Sequence, residues 1–155
     1  MSRLPNPNSY SMTKMPKEKQ FAYIYNTSGY TIQPNQDIPL DFNGPITDCI
    51  LHNNGSSVII IKQTGLYKLS YVITSDGSNN QVALAVNNRV VYDSLYGADG
   101  LFQNYGQTII YLREGDVLSL RNVDGVLTTP VLTYDAYNVV NVSLILETMN
   151  YGVEY

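Results

Sequence analysis

Residues 57–74 read SVIIIKQTGLYKLSYVIT, and this stretch decides the fold class. Its second half alternates without a break: Tyr67, Leu69, Tyr71 and Ile73 point one way, Lys68 and Ser70 the other. A period of two is the repeat of a β-strand with one face in the core and one in water. The first half is a short apolar run rich in β-branched isoleucine and valine, the residues that suit a pleated, buried surface. Between them Gln63-Thr64-Gly65 supplies the turn.

Working outward, the same texture continues in both directions. Upstream, FAYIYN (21–26) reads as a strand, and IPLDF (38–42) as an edge strand, because Pro39 brings no N–H to a ladder. DCILHN (48–53) meets SVIIIK (57–62) at Asn54-Gly55, a pair that favours hairpin turns. Downstream, QVALAV (81–86) and RVVYDSLY (89–96) flank Asn87-Asn88, and LFQNYGQTIIYL (101–112) runs into the turn Arg113-Glu114-Gly115-Asp116. VLSLRNV (117–123), a loop over 124–136 and YNVVNVSLILET (137–148) complete the chain, with Val140, Val142, Leu144 and Leu146 on one face. No stretch keeps a helical period over three turns. About ten short strands separated by turn clusters predict an all-β sandwich.

A chain of 155 residues is one domain's worth, and a domain of that size buries roughly 70% of the surface its unfolded chain exposes. Residues 1–20 hold three prolines and little apolar periodicity, so they read as an extended arm, 21–150 as the folded domain and 151–155 as a tail. The arm carries net +3, and the rest of the chain −7. Nucleic-acid binding is excluded as an expectation, since the body has no cluster of Lys and Arg to neutralise phosphates. No window approaches the roughly 18 apolar residues of a membrane span, and the N-terminus lacks the apolar core of a secretory signal. A cell- or spore-surface location would then be reached without a classical cleaved signal.

Three ordered segments resemble the jelly-roll family of the tumour necrosis factor and C1q heads, which includes the C-terminal head of the collagen-like glycoprotein of the spore exosporium. SVIIIKQTGLYKLSYVIT is similar to the family's strand, glycine turn, aromatic, strand pattern, with Gly65 and Tyr67 at the key places. VALAVNNRVV is similar to its strand, Asn-containing turn, strand unit, with Asn87 and Asn88 in the turn. GQTIIYLREGDVLSLRN is similar to its paired strands about a Gly-Asp turn, here Gly115 and Asp116. The resemblance implies a ten-strand antiparallel jelly roll that forms a homotrimer through an apolar, aromatic face. Two features depart from the family: no Gly-X-Y stalk stands in the sequence before the domain, and Trp is absent while Tyr occurs 14 times. Tyrosine joins a large apolar area to a polar tip, which suits partly wet subunit contacts.

Catalytic chemistry finds little to work with, and no enzyme activity or cofactor is expected. His52 is the only histidine, and Cys49 the only cysteine. Three apart on a strand, they point to opposite faces. Cys49 reads as a small apolar residue or as one half of an intermolecular disulfide; it has no partner within the chain. Acidic residues fall mainly in turns, and the loop Asp76-Gly77-Ser78-Asn79-Asn80 offers oxygen ligands for Ca²⁺ without the carboxylates of a tight site. Three sequons begin at Asn26, Asn54 and Asn141.

The leading functional expectation is a structural, self-assembling subunit of a bacterial surface, spore coat or appendage. Arm residues Arg3, Tyr10, Lys14, Lys17 and Lys19 would tie neighbouring copies into a trimer or filament. The alternative is a trimeric head that recognises another surface protein, receptor or glycan through loops 75–80, 96–106 and 124–136.

Overall fold

A computed structural model of the chain describes residues 18–100 and 102–149. Arg3, Tyr10, Lys14, Lys17 and the tail 151–155 lie outside the described residues. Ten strands carry the architecture: β1 (Phe21–Asn26), β2 (Phe42–Ile46), β3 (Ile50–Leu51), β4 (Ile59–Ile61), β5 (Gly65–Ile73), β6 (Asn80–Val86), β7 (Tyr96–Ala98), β8 (Asn104–Leu112), β9 (Val117–Asp124) and β10 (Val142–Thr148). One sheet runs β8-β5-β10-β1-β2. The other runs β7-β6-β9-β4-β3, with Gln36–Asp37 added beside β9 and Arg89–Val90 beside β6. Pairing within both sheets is antiparallel. Most connections cross from one sheet to the other, so the fold is an all-β jelly roll.

The core lies between the sheets and follows from the alternation. Tyr67, Leu69, Tyr71 and Ile73 of β5 face Leu118 and Leu120 of β9 and Val82 and Leu84 of β6 across one buried cluster. Tyr71 spans the sandwich: its hydroxyl lies 2.6 Å from the Val82 carbonyl and 2.9 Å from that of Ser94. Burial pushes that hydroxyl's pKa upward. Its ring fits because Gly106 lies opposite on β8, where an added Cβ would come within 2.2 Å of the ring.

Asn87 and Asn88 both hold positive φ (51° and 65°), the conformation tight hairpin turns require. Asn87 donates to Asp116 (2.9 Å) and accepts from the Val117 amide (3.0 Å), while Asp116 accepts the Arg113 amide (2.8 Å). Two turns 29 residues apart in sequence are thereby locked together. Gly115 sits at φ +92°, and the Tyr67 hydroxyl donates to the Gln63 carbonyl at 2.5 Å.

Three strand boundaries move. IPLDF is not a strand: Ile38 and Leu40 are buried, but their amides go to Leu120 and Ser56, and the edge strand is β2 instead. Pro45 is tolerated in β2 because an edge strand needs only half its N–H groups. RVVYDSLY breaks into Arg89–Val90, a 3₁₀ turn at Tyr92–Ser94 and β7, because the Ser94 side chain turns back onto the Val91 carbonyl and caps the Leu84 amide. Residues 137–141 do not join β10; Tyr137–Asn138 pairs with Thr133–Tyr134 in its own hairpin, and Val140 is exposed rather than sharing the core face.

Candidate interaction face

Because β8, β5, β10, β1 and β2 alternate in register, their outward residues form rows across the sheet. The first row reads Tyr105, Val72, Ser143, Tyr25, Phe42. The second is Gln107, Ser70, Ile145, Tyr23; the third is Ile109, Lys68, Glu147, Phe21; and Tyr111 pairs with Leu66 below them. Phe21, Phe42, Tyr105, Ile109, Tyr111 and Ile145 are each 41–55% exposed. Rings of Tyr23 and Tyr25 stack at 5.2 Å, and Phe42 lies 5.5 Å from Tyr25. Gly44 makes room there, since a Cβ would meet the Tyr23 ring at 2.8 Å. Between Tyr25 and Phe42 on one side and Asn138 and Val140 on the other lies a shallow groove of about 610 Å³.

This face has two unlike halves. The β8 half presents Tyr105, Ile109 and Tyr111; the β1–β2 half presents Phe21, Tyr23, Tyr25 and Phe42. A polar column of Ser70, Lys68, Ser143 and Glu147 separates them, interrupted by Ile145. Burying either apolar half against a partner is favourable at about 25 cal/mol per Å² of apolar area.

The sequence-stated residues fall into three places. Lys19, at the root of the arm, pairs with Glu147 (3.1 Å) and donates to the Thr148 carbonyl (3.2 Å), so it is bound to its own body. Gln20 and Thr148 exchange hydrogen bonds beside it (2.9 and 3.0 Å), and Gln20 also accepts the Cys49 amide (3.1 Å). Cys49 is half-buried and unbonded through sulfur. Gly65 and Tyr67 lie in β5 rather than in the turn before it, Gly65 paired with Leu112, while Asn87, Asn88, Gly115 and Asp116 build the turns at that same end.

Of the segments expected as recognition loops, 96–98 and 104–106 are strand, and 75–80, 99–100, 102–103 and 124–136 gather at the opposite end. Ser75 donates to the Gly100 carbonyl (3.1 Å), Gly100 donates to Asn79 (2.8 Å), and the Asp76 amide donates to Thr128 (2.7 Å). A cleft of about 440 Å³ between them is lined by Asn79, Gln81, Asp99 and Asp124 among others. Among the described residues no group of three or more His, Cys, Asp or Glu is placed to hold a metal. His52 is nearly buried, with Nδ1 2.5 Å from Asn43 and Nε2 2.7 Å from the Ser56 carbonyl, a packing role. Of the sequons, Asn26 and Asn141 are buried and hydrogen-bonded, and Asn54 is exposed.

Sequence reading named an aromatic face without naming its members. The signal was present in the alternation of FAYIYN and NYGQTIIYL, whose outward residues, Gln107 apart, are themselves aromatic or aliphatic.

No protein-family model and no curated protein matches this sequence. Solved structures do match in shape. Eiger TNF from S. frugiperda superposes with a TM-score of 0.62 at 10% identity, covering 86% of this chain and 93% of that one. Murine APRIL at pH 8.5 gives 0.60 at 7%, covering 85% and 100%. The globular domain of zebrafish complement 1qA gives 0.59 at 12%, covering 84% and 95%. The shared property is the fold, a TNF/C1q-like jelly roll. The narrower likeness to the exosporium head rests on the sequence segments alone.

Proposed function

We propose that this protein is a homotrimeric binding head whose copies meet through the outer face of the β8-β5-β10-β1-β2 sheet, leaving the loop end free for a partner. The observation that carries this reading is the in-register face on which Phe21, Phe42, Tyr105, Ile109, Tyr111 and Ile145 are all exposed, in two groups on either side of a polar column. Its two unlike halves suit a ring, in which each copy offers one half to one neighbour and the other half to the next. The TNF-like and C1q-like neighbours support the head in preference to a spore-coat or appendage subunit, whose case rests on arm residues outside the described ones. The test is native mass in dilute solution, by sedimentation or native mass spectrometry. Three times the 17.3 kDa chain mass supports the proposal; a single chain at micromolar concentration defeats it.

A further inference from the structure

The chain holds five pairs in which glycine follows Asn or Asp: Asn43-Gly44, Asn54-Gly55, Asp76-Gly77, Asp99-Gly100 and Asp124-Gly125. Such a pair is able to modify itself. The glycine nitrogen attacks Cγ of the preceding side chain and closes a five-membered succinimide, and glycine, with no Cβ, hinders this approach least. Composition alone ranks the two Asn pairs first, because ammonia leaves more readily than water. The fold ranks them otherwise.

Both Asn pairs are tied down. Asn43 commits its side-chain amide to His52, with Nδ2 donating to the carbonyl (2.7 Å) and Oδ1 2.5 Å from Nδ1. Asn54 is exposed, but the Gly55 nitrogen donates to the Leu40 carbonyl (2.8 Å), which turns the nucleophile away from its target. At Asp99 the Gly100 nitrogen likewise donates elsewhere, to the Asn79 side chain (2.8 Å). At Asp76-Gly77 the bonded amide is that of Asp76, on the Thr128 carbonyl (2.7 Å). Asp124-Gly125 differs from all of these. Its glycine nitrogen donates to Oδ1 of Asp124 itself (2.9 Å), so the nucleophile rests beside the carboxyl carbon it attacks. Asp124 is exposed at the end of β9, where water reaches it, and Gly125 stands at φ +75° with its carbonyl held by Asn122 (2.8 Å).

We propose that Asp124-Gly125 is a self-modification site, at which the folded chain converts aspartate to isoaspartate. The Gly125 nitrogen bonds to Cγ of the protonated carboxyl and gives up its proton, and the C–OH bond breaks to release water. A second water then opens the ring. Attack at Cγ restores aspartate. Attack at the main-chain carbonyl carbon breaks its bond to nitrogen, leaves that carbon as a free carboxylate and runs the chain through Cγ. One water leaves and one returns, so no oxidant or co-reactant takes part. The product lengthens the backbone by one methylene where there is no slack: a Cβ on Gly125 would meet the Asn79 carbonyl at 2.8 Å. Asn79, Asp124 and Gly125 all line the cleft of about 440 Å³ at the loop end, so the modification reshapes that cleft.

The test is long incubation of the full chain in native buffer and in urea, at mildly acidic pH for the Asp pairs and mildly alkaline pH for the Asn pairs. Peptide mapping with electron-transfer fragmentation then separates isoaspartate from aspartate at equal mass. In native buffer isoaspartate is expected at 124 ahead of 76 and 99, and no more slowly than in urea. Asn54 is expected to react roughly tenfold more slowly in native buffer than in urea, the scale of one hydrogen bond. Asp124→Asn gives positions 124 and 54 the same leaving group in different geometries, and in the native variant 124 should outrun 54 roughly tenfold. Isoaspartate at 76 or 99 ahead of 124, a rate at 124 that rises on unfolding, or equal native rates at 124 and 54 in the variant overturns the proposal.

Discussion

The two outer faces of this sandwich are built by the same alternation and end up unlike. On the β6–β9 side the outward residues are small or already satisfied. Ala83 and Ala85 are fully buried yet outside the core cluster, Ser119 is nearly buried, and Arg121 is held by Asp37 (2.9 Å) and Asn88 (2.6 Å). On the other sheet Phe21, Phe42, Tyr105, Ile109, Tyr111 and Ile145 stay exposed beside Ser70, Lys68, Ser143 and Glu147. One face satisfies its polar and apolar groups within the chain; the other leaves apolar side chains in water. The difference teaches that exposure of a single Tyr means little, whereas exposure repeated in register on β8, β10, β1 and β2 marks the candidate interface.

That comparison can be broken at its foundation. Gly106→Ala places a methyl inside the Tyr71 ring and should cost about 3 kcal/mol, from overpacking and from displacing a buried hydroxyl; chemical denaturation reads it. Both faces would suffer together, because the two sheets lose their register. Ile145→Glu, at the centre of the open face, should instead weaken the trimer by roughly 100-fold, about 2.7 kcal/mol, and leave the monomer's unfolding midpoint nearly unchanged; sedimentation against concentration reads it. A trimer that survives this charge places the contact elsewhere.

Arg121→Ala, on the closed face, should do the reverse. Loss of its partly buried ion pair costs about 1–2 kcal/mol of stability, with no change of native mass. Tyr67→Phe removes one hydroxyl bond to Gln63 and about 1 kcal/mol. Tyr67 also carries a pH signature. Burial pushes its pKa up to about 12 from 10.0. A group whose folded pKa is raised contributes stability that is complete below the unfolded value and lost as pH rises through the folded one. Alkaline unfolding between pH 10 and about 12 is therefore expected, and Tyr30 adds to it. The hydrogen bond to Asp41 raises Tyr30 to about 12, with burial and the Asp41 charge in support. Phenolate absorbance against pH should show a smaller step in Tyr67→Phe. The smallest effect is Lys19→Ala, under about 1 kcal/mol, as for other exposed ion pairs.

Much of the fold was legible because its signals are local. Alternation in 66–74, 104–112 and 142–148, and the turns at Asn87-Asn88 and Gly115-Asp116, need no distant information to be read. Where tertiary contacts intervene, reading fails: Ile38 and Leu40 look like strand residues but spend their amides on β9 and on the loop before β4, and Ser94 bends 92–94 through contacts with residues ten positions away. The interaction face was legible only as a tendency. Tyr25, Ser143, Val72 and Tyr105 come from four strands far apart in sequence, and no spacing rule aligns them.

What the sequence determined by itself is an all-β chain, its turn residues at Asn87-Asn88 and Gly115-Asp116, basic residues in 1–20 before an acidic remainder, and a single His and a single Cys, because each follows from composition or from a period of two. What only the tertiary structure decided is which outward residues share a surface. Strand order and register set that, and these are fixed by packing between the sheets, where Tyr71 fits against Gly106.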